Sequence, residues 1–88
     1  MKRPPKPIRL TRHAKERLGD RGATEREVHE AIHTTDWQPA ELNRLECRKE
    51  FPYNAVWSEK MCAIKEVRPI FLEEPSEIVV ITVYVYYR

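Results

Sequence analysis

The sequence contains little glycine and little cysteine. Only Gly19 and Gly22 occur among the 88 residues, which excludes a glycine-rich phosphate loop and a dinucleotide-binding fingerprint. The two cysteines, Cys47 and Cys62, form neither a CxxC pair nor a His/Cys cluster with zinc-ligand spacing. We therefore expect both cysteines to be core or sheet residues and expect no metal or other cofactor. A cross-strand disulfide between them is the alternative.

Long hydrophobic runs are also missing. No stretch approaches the ~20 apolar residues of a membrane-spanning helix, and the start of the chain, MKRPPKPIRL, lacks the apolar run of a secretory signal. We therefore expect a cytoplasmic protein without a membrane partner. Its 41% hydrophobic and 34% charged residues are typical of a globular domain, and 88 residues are enough for one core.

Positive charge is concentrated at the beginning of the chain. Residues 1–21 carry eight Lys or Arg against Glu16 and Asp20, a net charge of +6, whereas residues 22–88 carry eight against twelve acidic residues, a net charge of −4. This asymmetry is typical of a surface that binds a polyanion. A solvated helix face beside a basic tail is the alternative.

The pattern along the chain predicts two helices near the N-terminus. Prolines make residues 1–8 an extended basic arm, which precedes a single domain at residues 9–88. Thr11 is a suitable N-cap for a first helix, which Gly22 ends. Thr24-Glu25-Arg26-Glu27 is the capping box of a second helix, which ends near residues 34–36. The side chains expected to be buried recur at helical spacing and are Leu10, Ala14 and Leu18, then Val28, Ala31 and Ile32.

The period then changes to two residues, which indicates strands. The predicted strands are residues 45–51, 61–72 with an interruption near Pro69, and 77–87, and the predicted turns are Pro52-Tyr53-Asn54 and residues 73–76. Residues 77–87 are apolar on both faces and predict a central strand. Strict alternation along this strand places Val80 on the same face as Tyr84. We expect an α+β fold with two helices packed on a curved antiparallel sheet of about three to four strands.

The first helix combines a titratable group with fixed positive charges. His13, Arg17 and Arg21 follow at four-residue steps and form a slanted row beside the apolar stripe. An imidazole moves protons near neutral pH, and guanidinium groups bind phosphate and stabilise developing charge. The row therefore suits phosphodiester chemistry. A structural, hydrogen-bonded histidine is the alternative.

The strands contribute further candidate groups. Lys65 lies among apolar neighbours, where its amine either reaches the rim or lies in a groove. Tyr84 shares a strand face with Tyr86, and such tyrosines stack on unpaired bases or fill a core. His29 and His33 lie four residues apart without a third ligand, so we expect no metal site. The other candidates for RNA binding are Arg12, Arg21, Arg48, Arg68 and Thr82.

Three motifs follow one another in a recognisable order. They are Leu10-Thr11-Arg12-His13-Ala14-Lys15-Glu16-Arg17-Leu18, Arg21-Gly22-Ala23-Thr24-Glu25-Arg26-Glu27-Val28 and Ile81-Thr82-Val83-Tyr84. Over about residues 9–87 the chain resembles the bacterial family called domain of unknown function 4258, which is grouped with BrnT-like and RelE-like toxins. The resemblance implies a compact, metal-independent RNA-cleaving domain, with N-terminal helices against a curved antiparallel sheet and RNA bound where the first helix meets that sheet.

Two functions follow from the residues and the resemblance. The first is a toxin-like endoribonuclease in which His13 is the general acid/base and Tyr84 orients or stacks a base. Arg17, together with Lys65 or Arg68, then stabilises the phosphorane. The second is a non-catalytic RNA- or protein-binding module of the same fold, monomeric or homodimeric. The expected partners are RNA and an antitoxin-like or other protein.

Overall fold

Two short helices pack against one face of a six-stranded sheet in the computed structural model, which describes residues 6–88. The elements are β1 Ile8–Leu10, α1 Arg12–Arg21, α2 Glu25–Thr34, β2 Gln38–Pro39, a 3-10 turn Glu41–Asn43, β3 Leu45–Glu46, β4 Lys49–Trp57, β5 Lys60–Glu73 and β6 Ile78–Tyr87. The α+β class and the two N-terminal helices are confirmed.

Both helices begin and end where the capping signals predict. The Thr11 hydroxyl accepts a hydrogen bond from the Ala14 amide at 3.1 Å, and α1 ends at Gly22, whose φ of 75° is left-handed. Thr24 and Glu27 form the reciprocal capping box of α2. These signals are local, so they specify the helix boundaries without help from the rest of the fold.

The sheet has more strands than the sequence predicts, and it is mixed rather than purely antiparallel. Its order is β1-β6-β5-β3-β2, and β4 pairs with a separate part of β5. β1 begins at the end of the predicted arm and runs parallel to β6, with Ile8 opposite Ile78. Because β1, β2 and β3 are too short for a periodic signal, the pattern predicts fewer strands. Residues 1–5 of the arm lie outside the described residues.

The strand boundaries differ from the prediction at two places. Residues 47 and 48 separate β3 from β4, so the predicted strand 45–51 is two strands. Pro52-Tyr53-Asn54 lies inside β4, which absorbs it with a register shift. The chain turns instead at Ser58 and Glu59, both of which have positive φ, as tight hairpin turns require.

Pro69 does not interrupt β5. It pairs with Val83 of β6 on one side. On the other side it lies in a gap, because pairing with β4 ends at Val67 and pairing with β3 starts at Ile70. A residue without an amide hydrogen is tolerated at such a gap in the ladder.

A register shift in β6 decides which of its side chains share a face. Ile70 of β5 pairs with Thr82, whereas the next residue of β5 pairs with Val80, so Ile81 is an extra residue. Val80 therefore lies on the helix-covered face of the sheet, although strict alternation places it with Tyr84. We call the opposite face the open face; its cross-strand pairs are Glu66 with Tyr86, Arg68 with Tyr84, and Ile70 with Thr82.

The hydrophobic core lies between the two helices and the helix-covered face. The predicted helix stripes are buried, and the largest fully buried side chains are Phe71, Ile32, Val28, Val67, Val80, Val83 and Pro69. Cys47 and Cys62 are both buried, as expected from the sequence. Neither helix within residues 6–88 is long and apolar enough to span a membrane.

The link between α1 and α2 packs against aromatic side chains of the sheet. Trp57 and Tyr87 stack with their ring centroids 4.3 Å apart. The Tyr87 hydroxyl donates to the Arg21 carbonyl oxygen at 2.6 Å, and burial raises the pKa of Tyr87 to about 12. The backbone of Gly22 comes so close to both rings that a side chain has no room there.

Replacing Gly22 with alanine is expected to lower the free energy of unfolding by at least about 2 kcal/mol. The new Cβ would lie 2.7 Å from Tyr87 Oη and 2.9 Å from a Trp57 ring carbon, at a φ that side chains rarely adopt. Gly19→Ala is the matched control: it has no atom within 4 Å and is expected to raise stability by about 1 kcal/mol. Urea unfolding followed by circular dichroism measures both, and equal stability of Gly22→Ala and wild type contradicts this packing.

Candidate nucleic-acid interface

Helix α1 lies along the edge of β6 that β1 leaves free. The Thr11 amide donates to the Val80 carbonyl oxygen at 3.0 Å, and the Thr11 hydroxyl donates to the Ile81 carbonyl oxygen at 3.2 Å. At the other end of the helix, the Arg21 guanidinium donates to the Val83 carbonyl oxygen at 2.6 Å. Hydrogen bonds at both ends therefore fix α1 beside β6.

The predicted row on α1 reaches the open face at its C-terminal end. The Arg21 guanidinium lies 5.1 Å from the ring centroid of Tyr84. Because four-residue steps turn about 40° around the axis, Arg17 and His13 lie on the same side of α1 and turn progressively toward solvent. Arg17 pairs with Asp20 at 3.0 Å. His13 is exposed and makes no hydrogen bond or ion pair within residues 6–88, which argues against the structural histidine of the alternative.

Tyr84 has a second arginine beside its ring. The Arg68 guanidinium lies 5.3 Å from the Tyr84 centroid, and its Nε and Nη2 each donate to the Glu46 carboxylate at 2.9 Å. Its Nη1 donates to the Tyr86 hydroxyl at 3.2 Å. The hydrogen bonds that Arg68 donates to Glu46 hold the pKa of Glu46 below its usual value and raise the pKa of Arg68. No motif or spacing points to Glu46, because only cross-strand register brings it to Arg68.

Other predicted RNA-binding arginines have acidic neighbours. Arg48 pairs with Glu46 at 3.6 Å and with Glu66 at 3.9 Å. Arg12 on α1 pairs with Glu16 at 3.7 Å, while its side chain is 95% exposed. The Arg12–Glu16 pair is exposed on both sides and contributes about 0–1 kcal/mol, so it exchanges readily for a phosphate.

Lys65 lies apart from the other predicted catalytic residues. It is on the helix-covered face, where its Nζ lies 2.8 Å from Glu27 and donates to the Gly22 carbonyl oxygen at 3.0 Å. Only 9% of its side chain is exposed. The amine therefore ties β5 to the start of α2, and the sheet separates it from Tyr84. His13 and Arg17 lie on one side of α1, and Arg21 at the end of that row contacts Tyr84.

We call the remaining group the α1–β6 surface; it consists of His13, Arg17, Arg21, Arg68, Thr82, Tyr84 and Tyr86. Beyond Tyr84 and Thr82 it opens into a groove of about 710 Å³ between the open face and residues 39–44. Glu41 and Arg44 line this groove, and nothing in the sequence pattern singles them out. Within residues 6–88, no three His, Cys, Asp or Glu side chains are grouped so that they could bind a metal ion.

Comparison of the chain with family models, curated proteins and solved structures found no match. The family resemblance drawn from the three sequence motifs therefore stays a prediction.

Glu46→Gln is expected to lower the free energy of unfolding at pH 7 by about 2 kcal/mol, because it breaks the charged hydrogen bonds to Arg68. The folded-state pKa of Glu46 is lowered. The carboxylate therefore stabilises the fold above its unfolded pKa of about 4.3, and this stability is lost as pH falls through the folded pKa. The difference between the variant and wild type should shrink below about pH 4.

Unfolding by urea at several pH values measures this difference. Glu59→Gln is the control, because Glu59 is exposed in the β4–β5 turn and has no ion pair within residues 6–88. A Glu46→Gln effect that stays constant from neutral to acid pH is incompatible with the ion pair.

Proposed function

We propose that the protein is a metal-independent endoribonuclease that binds single-stranded RNA on the α1–β6 surface. The observation that carries the proposal is the row of His13, Arg17 and Arg21 on one side of α1, whose last member contacts the Tyr84 ring. It combines an exposed imidazole and cationic groups on one helix with an aromatic ring at its end. RNA offers the matching groups, namely a 2′-hydroxyl, phosphates and bases.

His13 supplies the proton transfer in this proposal. Its imidazole takes the proton of a ribose 2′-hydroxyl, whose oxygen attacks the adjacent phosphorus. The bond from phosphorus to the 5′-oxygen then breaks, and that oxygen takes the proton from the His13 imidazolium. The products are a 2′,3′-cyclic phosphate and a 5′-hydroxyl end. DNA lacks the attacking hydroxyl and should not be cut.

Arginines of α1 stabilise the charge in the transition state. Arg17 and Arg21 lie on the same side of the helix as His13, and guanidinium groups bind phosphate oxygens bidentately. Lys65 has no part in this step, since its amine is buried against Glu27. Tyr84, with Arg21 and Arg68 over its ring, provides a planar surface for a base next to the cleaved bond.

The proposal includes the finer predictions of the family resemblance. These are a RelE-like arrangement of helices and sheet, RNA as the ligand, a cytoplasmic location and an antitoxin-like protein partner. The His13 end of the α1–β6 surface is exposed in the isolated chain. An inhibitory partner would therefore act most directly by covering this surface.

A second candidate is a non-catalytic RNA-binding module. Charge pairing favours it, because Glu46 neutralises Arg68 and Glu27 neutralises Lys65, so fewer cations are left to stabilise a phosphorane. In this case RNA binds to the same surface without turnover. Binding and cleavage must therefore be measured separately.

His13→Ala is expected to reduce cleavage of a labelled single-stranded RNA by about 100-fold or more, because it removes the general acid/base. Wild-type cleavage should be the same with and without EDTA, and a DNA of the same sequence should stay intact. His33→Ala is the matched control, because His33 is an exposed histidine of α2 away from the row. Circular dichroism checks the fold of each variant. Equal cleavage by His13→Ala and wild type refutes the role of His13.

Tyr84→Ala is expected to weaken RNA binding by about tenfold, since stacking on one base is worth about 1–3 kcal/mol. Tyr84→Phe keeps the ring and should bind like wild type. Fluorescence anisotropy with a 2′-O-methyl RNA, which cannot be cleaved by its own hydroxyl, measures binding alone. If Tyr84→Phe loses RNA binding, or if Tyr84→Ala binds RNA like wild type, stacking on Tyr84 is excluded. Binding of this RNA by wild type without cleavage of ordinary RNA selects the second candidate.

A further inference from the structure

The groove beside Tyr84 contains charged groups that the proposed cleavage does not use. One wall is the open face with Arg68, Thr82 and Tyr84, and the other wall is Pro39 of β2 with the segment of residues 40–44 that connects β2 to β3. A cavity of about 710 Å³ falls within the usual size of small-molecule sites. The groove continues the α1–β6 surface, because Tyr84 and Thr82 belong to both.

Two of the four charged residues in the groove neutralise each other, and two do not. Arg68 and Glu46 form the bidentate pair described above. Arg44 is half-buried, and neither its guanidinium nor the Glu41 carboxylate makes a hydrogen bond or ion pair within residues 6–88. A ligand that satisfies both must offer an anionic group and hydrogen-bond donors.

The backbone around these two residues is held in an uncommon conformation. Leu42 has φ 60° and ψ 38°, Asn43 has φ 60°, and the Leu42 side chain is exposed at the mouth of the groove. Two backbone hydrogen bonds close the turn. The Arg44 amide donates to the Glu41 carbonyl oxygen at 3.2 Å, and the Ala40 amide donates to the Arg44 carbonyl oxygen at 2.8 Å. Left-handed backbone at a bulky residue is strained, and such strain clusters at ligand sites.

We propose that this groove is a ribonucleotide-binding subsite. Arg44 binds a phosphate, and the Glu41 carboxylate accepts hydrogen bonds from ribose hydroxyls, as carboxylates do in dinucleotide sites. The base lies on the layer formed by Arg68 and Tyr84, within reach of the Thr82 hydroxyl. The inference rests on the proposed function in that the ligand is one nucleotide of the bound RNA, next to the nucleotide that His13 acts on.

Titration of ¹⁵N-labelled protein with adenosine 5′-monophosphate tests the subsite without any need for cleavage. The amides of Leu42, Asn43, Thr82 and Tyr84 are expected to shift together. Deoxyadenosine 5′-monophosphate should bind several-fold more weakly, because it offers Glu41 one hydroxyl fewer. Inorganic phosphate alone should shift only the amides near Arg44. Uridine 5′-monophosphate then shows whether the base contact prefers purines.

Arg44→Ala is expected to weaken binding of the monophosphate by about tenfold or more. Arg44→Gln, which keeps a long polar side chain, should weaken binding of the monophosphate similarly. Agreement between the two variants shows that the loss of binding does not come from unfolding. Arg26→Ala is the control, because Arg26 is exposed on α2 and unpaired within residues 6–88. No shift at the groove, or equal binding by both Arg44 variants and wild type, overturns the subsite.

These results are separable from the test of the nuclease. If Arg44→Ala binds the monophosphate normally while His13→Ala abolishes RNA cleavage, the subsite is wrong and the proposed function stands. If the monophosphate binds in the groove through Arg44 but wild type cleaves no RNA, the subsite stands and the nuclease is wrong. Where both are correct, Arg44→Ala raises KM for RNA by about tenfold and changes kcat little.

Discussion

The free edge of β6 is the constraint on which the arrangement of this protein depends. β1 covers that edge over only three residues, and the carbonyl groups that follow need other donors, because buried backbone groups are rarely left unpaired. Thr11 and Arg21, at the two ends of α1, donate to them. The helix therefore covers the strand edge from Val80 to Val83. As a consequence the row that begins at His13 runs beside the open face and meets it at Tyr84.

Local signals in the sequence were enough to predict the helices. Thr11, Gly22 and the Thr24–Glu27 capping box act on backbone groups within a few residues, so their outcome does not depend on the rest of the chain. The sheet depends instead on register between distant segments. The extra residue Ile81 reverses the alternation in β6, and no local property of a β-branched run reveals it.

The candidate site was likewise predictable only where local spacing or a local motif decides it. The row on α1 follows from helical spacing, and Tyr84 follows from its strand motif. Lys65 could not be placed, because its burial depends on the position of Glu27 across the helix-covered face. The pairing of Arg68 with Glu46 and the groove containing Arg44 likewise depend on which strands become neighbours. Composition and spacing contain no information about such contacts.

The charge arrangement sets the type of RNA binding that we expect. Most cations on the open face have a carboxylate partner, so few counterions would be released on binding and the salt dependence should be shallow. Affinity then comes mainly from base stacking on Tyr84 with its neighbours Arg21 and Arg68, and from the cations of α1. This balance agrees with a net charge of only +2 for the whole chain.

The proposed function requires that α1 and the open face bind RNA as one surface. Amide chemical-shift mapping of ¹⁵N-labelled protein with a short 2′-O-methyl RNA shows which residues bind it. We expect shifts that are confined to α1 around residues 13–21 and to Thr82 through Tyr86. Shifts centred on α2 or on the β4–β5 turn, or no shifts at all, would contradict this requirement.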